Sequence, residues 1–155
     1  VVDLAHRHGV SVEAEIGFVG YDSGAASQMT DAGEAGRLAA ESGCDALAIS
    51  VGNVHLQTEA MAEIDLARLA EIEAATDCPL VIHGASGVPA EMRRHLAQNT
   101  AVCKFNVGTE LRQTFGATLR RTLDDNPDMF DRGQMLRATK PALTAMAAEV
   151  MRNFI

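Results

Sequence analysis

Several side chains that can bind a metal ion or an anion stand at the ends of apolar segments. Glu15, His55, His83 and Asn106 each lie at or just beyond the end of a run with the composition of a buried strand. Two imidazoles beside a carboxylate can bind zinc, cobalt or iron. Glu13 and Glu15 share one face of their short apolar run, where a carboxylate is costly unless it is solvated, paired or close to a cation. One of them is therefore a functional candidate, although a strand with one wet face explains the pair equally well.

Two glycine-rich turns indicate a second kind of chemistry, the binding of a phosphate group. Gly84, Ser86 and Gly87 follow one apolar run, and Gly108 and Thr109 follow the next. Glycines let backbone N–H groups approach an anion closely, and the N–H groups at a helix start favour negative charge. The sequence predicts that Thr109 caps the helix that begins there. A phosphate site is therefore expected without a cluster of lysines and arginines.

Strand-like and helix-like segments alternate along the chain in the order α-β-α-β-α-β-α-β-α-α. The predicted strands are 11–16, 45–51, 80–82 and 101–107, and a last helix is predicted over 134–154, with Pro141 interrupting it or starting a helix. Long crossovers between strands favour right-handed parallel units. Periodicity alone is consistent with a small flavodoxin-like domain or with half of an eight-stranded barrel. Site candidates at four successive strand ends are typical of the barrel.

The composition and net charge of the chain argue against some classes of binding partner. The chain has 155 residues, 47% of them hydrophobic, and a formal net charge of -8, so we expect one domain that binds neither nucleic acid nor an anionic membrane. No run approaches the ~18 apolar residues of a membrane span. Three widely spaced cysteines favour reduced, mostly buried thiols and a cytoplasmic location. Three histidines lie in polar helical surroundings and are expected to be solvated: His6, His8 and His95.

Four sequence motifs in this order resemble the class II, metal-dependent ketose-bisphosphate aldolases, the fructose- and tagatose-bisphosphate group. The resemblance covers nearly the whole chain and implies a (β/α)8 TIM barrel. Residues 1–155 would form a single unit, the C-terminal half, with strands five to eight and their helices. The motifs are Val12-Glu13-Ala14-Glu15-Ile16-Gly17, Ala48-Ile49-Ser50-Val51-Gly52-Asn53-Val54-His55, Leu80-Val81-Ile82-His83-Gly84-Ala85-Ser86-Gly87 and Lys104-Phe105-Asn106-Val107-Gly108-Thr109-Glu110-Leu111-Arg112.

The resemblance also implies roles for individual residues. His55 and His83 would be two of three zinc ligands, with Glu15 as the acidic residue near the metal. Asn106 would bind the enediolate of the substrate. Another divalent metal is an alternative to zinc, and a monovalent cation is a further candidate cofactor. The phosphate of the dihydroxyacetone-phosphate half would be held by Gly84, Ser86, Gly108 and Thr109.

The implied activity is cleavage or formation of a C–C bond in a phosphorylated ketose, by a homo-oligomer that is a dimer or a tetramer. The family's His-x-Asp-His segment belongs to the other half of the barrel, so the chain alone is expected to be inactive. Leu56 stands where the family usually has glycine, and 18–30 lacks the family's proton-shuttling glutamate. An aldolase-like protein that binds a phosphorylated ligand without cleaving it is therefore the alternative. A nucleotide- or flavin-binding domain is disfavoured, because no G-x-G-x-x-G or P-loop pattern follows a strand.

Overall fold

The computed structural model describes residues 1–18, 28–53 and 61–155. Within these residues the strands form one parallel sheet in the order β1-β2-β3-β4, and helices occupy the crossovers. The predicted alternation of strands and helices is confirmed. The elements are α1 Val2–Arg7, β1 Glu13–Glu15, α2 Ala32–Ser42, β2 Ala46–Ile49, α3 Leu66–Ala75, β3 Leu80–Ile82, the 3₁₀ turn Ala85–Gly87, α4 Ala90–Asn99, β4 Val102–Phe105, α5 Thr109–Asp125 and α6 Arg132–Arg152.

The two faces of the sheet have different chemistry. On one face, Leu47 and Ile49 of β2 and Leu80 and Ile82 of β3 pack in an apolar core. Burying such side chains stabilises the fold by about 1.5 to 3 kcal/mol each. Helices cover this face, and their buried contributions to the same core include Ala35, Leu69, Ile72 and Leu96. The opposite face carries the charged side chains of β1 and β4.

Aspartates begin three of the helices in the described residues, and the pair Asp31 and Glu34 is a helix-start signal that the sequence itself carries. The Asp31 carboxylate accepts a hydrogen bond from the backbone N–H of Glu34 at 2.9 Å. The Asp65 carboxylate accepts the backbone N–H of Arg68 at 2.9 Å, and the Asp131 carboxylate accepts that of Gln134 at 2.7 Å. Each cap satisfies an N–H group that has no partner inside the helix and contributes ~1 kcal/mol.

The starts of the last two helices differ from the sequence prediction. Thr109 is the first residue of α5 and Gly108 is the capping residue, so the prediction that Thr109 caps this helix is wrong. Pro141 lies inside one continuous helix, α6, and neither interrupts nor starts it. The helix begins nine residues earlier because the Asp131 side chain caps it there. A proline in the interior of a helix removes one N–H donor and costs ~3 kcal/mol, so the other interactions of α6 outweigh this cost.

Helix α1 is attached to the segment before β2 by a histidine that was expected to be solvated. His6 Nε2 lies 2.8 Å from Asp45 Oδ2, and the same oxygen accepts the Val12 N–H at 2.7 Å. The hydrogen bond from His6, together with that from Val12, lowers the pKa of the Asp45 carboxyl. All three histidines expected to be solvated, His6, His8 and His95, are exposed.

The cysteines are free thiols, and all of them lie in the described part of the chain. Cys44 Sγ and Cys78 Sγ are 3.9 Å apart. Burial and the neighbouring Cys44 thiol raise the pKa of Cys78 to about 11. Cys103 is exposed, in contrast to the expectation of mostly buried thiols, and it lies where the pairing of β3 with β4 shifts register, between the partners of Leu80 and Val81. No helix of the described residues has the length and apolar character needed to cross a membrane.

Candidate functional site

The carboxyl ends of the strands bring most of the predicted site residues to one edge of the sheet. Glu15 ends β1, His83 directly follows β3, and Asn106 directly follows β4. The backbone N–H of Asn106 donates to the Ile82 carbonyl at 2.9 Å, so these last two strand ends lie side by side. His55 belongs to residues 54–60, outside the described residues, and its place beside His83 stays a prediction.

A carboxylate on the charged face of the sheet reaches across to His83. Glu13 Oε1 lies 3.0 Å from His83 Nε2, and Glu13 Oε2 lies 2.5 Å from Lys104 Nζ. Burial raises the pKa of the Glu13 carboxyl, but the hydrogen bonds from Lys104 and His83 outweigh burial and hold that pKa below its usual value. The carboxylate is therefore ionised at neutral pH and bridges an imidazole and an ammonium group.

Glu15 faces the other nitrogen of the same imidazole. Its Oε1 lies 3.8 Å from His83 Nδ1. Since Glu13 and Glu15 are two residues apart on β1, both point to the face that carries His83. The predicted neighbourhood of Glu15 and His83 is thus present in the structure. The contacts of Glu13 and Lys104 were not predicted, although the i, i+2 spacing of the glutamates already placed Glu13 on this face.

A buried asparagine holds the backbone of His83 in place. The Asn53 amide nitrogen donates to the His83 carbonyl at 2.9 Å and to the Ile49 carbonyl at 3.3 Å. Its oxygen accepts the Val51 N–H at 2.8 Å. Asn53 therefore ties the end of β2 to the end of β3. Sequence analysis did not select this residue, because nothing in the pattern of residues 48–55 distinguishes a buried amide from one in a solvated turn.

A cavity of about 430 Å³ opens between the ends of β3 and β4, and we call it the strand-end cavity. All the residues assigned to phosphate binding line it, and Asn106 does so too. The predicted phosphate residues therefore converge, although they come from two separate turns. The lining residues are Gly84, Ser86, Phe105, Asn106, Val107, Gly108, Thr109 and Arg112.

The Ser86 hydroxyl links the two turns that line the strand-end cavity. Ser86 Oγ accepts hydrogen bonds from the backbone N–H groups of Gly108 at 3.2 Å and Thr109 at 3.0 Å. A hydroxyl oxygen has two acceptor sites and one donor hydrogen. Because both acceptor sites are filled, the Ser86 hydroxyl can form a further hydrogen bond only as a donor. Gly84 makes this turn accessible, since it adopts φ +62°, a left-handed conformation that glycine adopts without strain.

Arg112 brings a positive charge to the strand-end cavity, and sequence analysis missed it. Among the described lining residues it is the one cation. Arg112 lies one helical turn after Gly108, so both face the same side of α5. A β-carbon at position 108 would lie 3.3 Å from Cζ of Arg112, which shows how closely the guanidinium approaches this glycine. The spacing of four residues from the helix start was the signal that could have identified it.

The chain matches the family model of class-II fructose-bisphosphate aldolase over residues 1–155. It belongs to this family. The structure is similar to the crystal structure of the YdjI aldolase from Escherichia coli K12, with 29% identity and a TM-score of 0.74 over 99% of this chain and 51% of that one. The chain therefore spans about half the length of this relative. The family assignment confirms the resemblance recognised from the four motifs.

Two further structures support the fold. A candidate fructose-1,6-biphosphate aldolase from Coccidioides immitis is 23% identical, with a TM-score of 0.80 over 99% of this chain and 55% of that one. The fructose-bisphosphate aldolase of Campylobacter jejuni is 18% identical, with a TM-score of 0.72 over 99% of this chain and 54% of that one. The parallel sheet and its helices thus correspond to about half of an aldolase (β/α)8 barrel, as the family resemblance implied.

Proposed function

We propose that the protein containing this chain is a metal-dependent aldolase, which cleaves or forms a C–C bond of a phosphorylated ketose to give dihydroxyacetone phosphate and an aldehyde. The observation that supports this most strongly is the position of the strand-end cavity directly beside His83. Gly84 follows His83 in the chain, and Asn106 is hydrogen-bonded to Ile82, the residue before His83. A metal-binding imidazole and an anion-binding cavity would then act on adjacent parts of one small substrate.

The side chains around His83 fit a divalent cation, for which zinc is our first choice. A metal-binding histidine usually engages a carboxylate through its other ring nitrogen, and Glu13 is placed for that role at Nε2. His83 would hold the ion together with His55, and Glu15 would lie near it. The described residues contain no group of three His, Cys, Asp or Glu side chains suited to a metal, and His55 lies outside them. The bound cation would stabilise the negative charge that develops on substrate oxygen during C–C cleavage.

The strand-end cavity would bind the phosphate and orient the reacting carbons. The Ser86 hydroxyl can only donate, so it suits a phosphate oxygen that can only accept. Arg112 adds a charge-assisted contact, which is roughly twice as strong as a neutral hydrogen bond. Gly84 and Gly108 have no side chain and would let the phosphate approach the backbone closely, with Thr109 beside them. Asn106 would lie between the phosphate and the metal, and its amide would donate a hydrogen bond to the enediolate oxygen.

The experiment is a cleavage assay of the full-length protein against a panel of ketose bisphosphates and monophosphates and their dephosphorylated counterparts. Release of dihydroxyacetone phosphate is followed by coupled reduction, and binding of each compound is measured by calorimetry. We expect cleavage of a phosphorylated ketose and none of its dephosphorylated form. Binding without cleavage would replace the proposal with that of an aldolase-like binding protein. Equal cleavage of both forms would contradict the phosphate role of the strand-end cavity.

A further inference from the structure

An arginine buried beneath the strand-end cavity joins three segments of the chain. Arg93 lies on α4, and its side chain is only 2% exposed. Its Nε donates to the Val88 carbonyl at 2.7 Å, and its Nη2 donates to the Ser86 carbonyl at 3.1 Å. The same Nη2 lies 3.1 Å from Glu110 Oε1, on the first turn of α5. One guanidinium therefore contacts the 3₁₀ turn, the residue after it and the following helix.

This ion pair is an expensive way to stabilise a fold. Among the described residues, Arg93 Nη1 and Glu110 Oε2 are buried without a hydrogen-bond partner. Arg93 is almost completely removed from water, whereas the Glu110 side chain is 27% exposed. Removing a charge from water costs several kcal/mol, and apolar residues of similar volume often replace a buried pair without loss of stability. Stability alone is thus a weak explanation for the Arg93–Glu110 pair. Its location in the fold is a better guide to its role.

Of the three groups that the guanidinium contacts, Ser86 lines the strand-end cavity, and Glu110 is the chain neighbour of Thr109, which also lines it. Ser86 is held twice, because Arg93 binds its carbonyl while its hydroxyl accepts the N–H groups of Gly108 and Thr109. Glu110 follows Thr109 directly, so the ion pair fixes the same turn of α5 from its other side. Arg93 therefore links the backbone of Ser86 to the first turn of α5, whose N–H groups in turn hold the Ser86 hydroxyl.

We propose that Arg93 and Glu110 are positioning residues that hold the anion-binding groups of the strand-end cavity in place before a ligand arrives. Less ordering is then required on binding, which is how a rigid site gains affinity. Neither residue touches the ligand, and both act through Ser86 and α5. This inference rests on the proposed function, since the anion is taken to be the phosphate of the ketose.

The test compares Arg93→Met, Glu110→Leu and the double variant in the full-length protein. Thermal unfolding reports stability, and calorimetry reports binding of inorganic phosphate, dihydroxyacetone phosphate and dihydroxyacetone. Glu110→Leu leaves the buried charge of Arg93 without its carboxylate, and Arg93→Met leaves the partly exposed Glu110 without its partner, so both should unfold at a lower temperature, the Glu110 variant more so. The double variant should recover stability, yet its affinity for dihydroxyacetone phosphate should stay roughly tenfold or more below wild type, because small misplacement of binding groups is costly. Dihydroxyacetone binding should not change.

A matched control separates this role from general destabilisation. Leu69→Ala removes a buried core side chain on α3 that does not line the cavity, so it should lower the unfolding temperature and leave phosphate affinity unchanged. A double variant that binds dihydroxyacetone phosphate as tightly as wild type would overturn the positioning role. A wild-type protein that binds neither phosphate probe would instead overturn the phosphate site itself, and the inference with it.

Discussion

Glu13 and His83 are hydrogen-bonded across an intervening strand, with Glu13 Oε1 3.0 Å from His83 Nε2. Strand β2 lies between β1 and β3, and its residues paired with the two glutamates are Ala46 and Ala48. Because these side chains are small, the Glu13 carboxylate reaches over them. Lys104 holds its other oxygen, so the imidazole ring is oriented by a carboxylate that is itself fixed.

Loss of the Glu13 carboxylate should weaken metal binding. In the full-length protein, Glu13→Ala is expected to lower zinc affinity by roughly 10- to 100-fold, because such carboxylates set the orientation and basicity of a metal-binding imidazole. Competition with a chelator measures the affinity. Glu41→Ala, which removes an exposed carboxylate on α2, is the control and should behave as wild type. Unchanged affinity in Glu13→Ala would show that the contact does not orient a metal ligand.

The Ser86 hydroxyl should contribute specifically to phosphate binding. Ser86→Ala is expected to weaken binding of a phosphorylated ketose by roughly 1 to 3 kcal/mol, the usual cost of a lost hydrogen bond to a charged group. Binding of the dephosphorylated sugar should barely change. Calorimetry on both ligands checks this, with Ser42→Ala on α2 as the control. Equal losses for the two ligands would place the phosphate elsewhere.

Arg112 should supply the charge that the strand-end cavity offers to an anion. Arg112→Met is expected to weaken binding of the phosphorylated ketose by roughly 1.5 to 3 kcal/mol and to reduce the sensitivity of that binding to salt. Arg120→Met is a matched control, since Arg120 is exposed on the same helix and also lies four residues after a glycine. If both variants bind equally well, the guanidinium of Arg112 does not contact the ligand.

The thiols should differ in reactivity according to their surroundings. Burial and the Cys44 thiol raise the pKa of Cys78 to about 11, so little thiolate is present near neutral pH. At about pH 8, iodoacetamide should therefore modify the exposed Cys103 before Cys78, since the thiolate is the reacting form. Peptide mass spectrometry of the folded protein follows both sites over time. Faster modification of Cys78 would contradict its buried environment.

Local signals were sufficient to predict the strands, the turns and several helix ends. The apolar run before His83 predicted β3, and the Asp31 and Glu34 pair predicted the start of α2, because both signals depend on neighbouring residues. The sequence also predicted that Ser86 and Thr109 lie close together. They follow consecutive parallel strands, and the carboxyl ends of parallel strands lie at the same edge of the sheet. These are consequences of periodicity and of the geometry that every parallel sheet shares.

The contacts that orient the site could not be predicted in this way. Glu13 and Lys104 are 91 residues apart in the chain, and their meeting depends on strand register and on the small alanines between them. In the sequence, Arg93 has no feature that distinguishes it from an exposed charged residue on an amphipathic helix. Its burial depends on the carbonyls of the 3₁₀ turn and on Glu110, which no local pattern reveals.

Zinc titration of the metal-free full-length protein, with the cleavage rate and bound metal measured at each step, tests the central claim most directly. Wild type should regain cleavage of its phosphorylated ketose in proportion to bound zinc. His83→Ala should bind less zinc and remain inactive, because an open zinc site has few ligands to spare. Cleavage that persists without metal, or full zinc occupancy and cleavage in His83→Ala, would contradict the account.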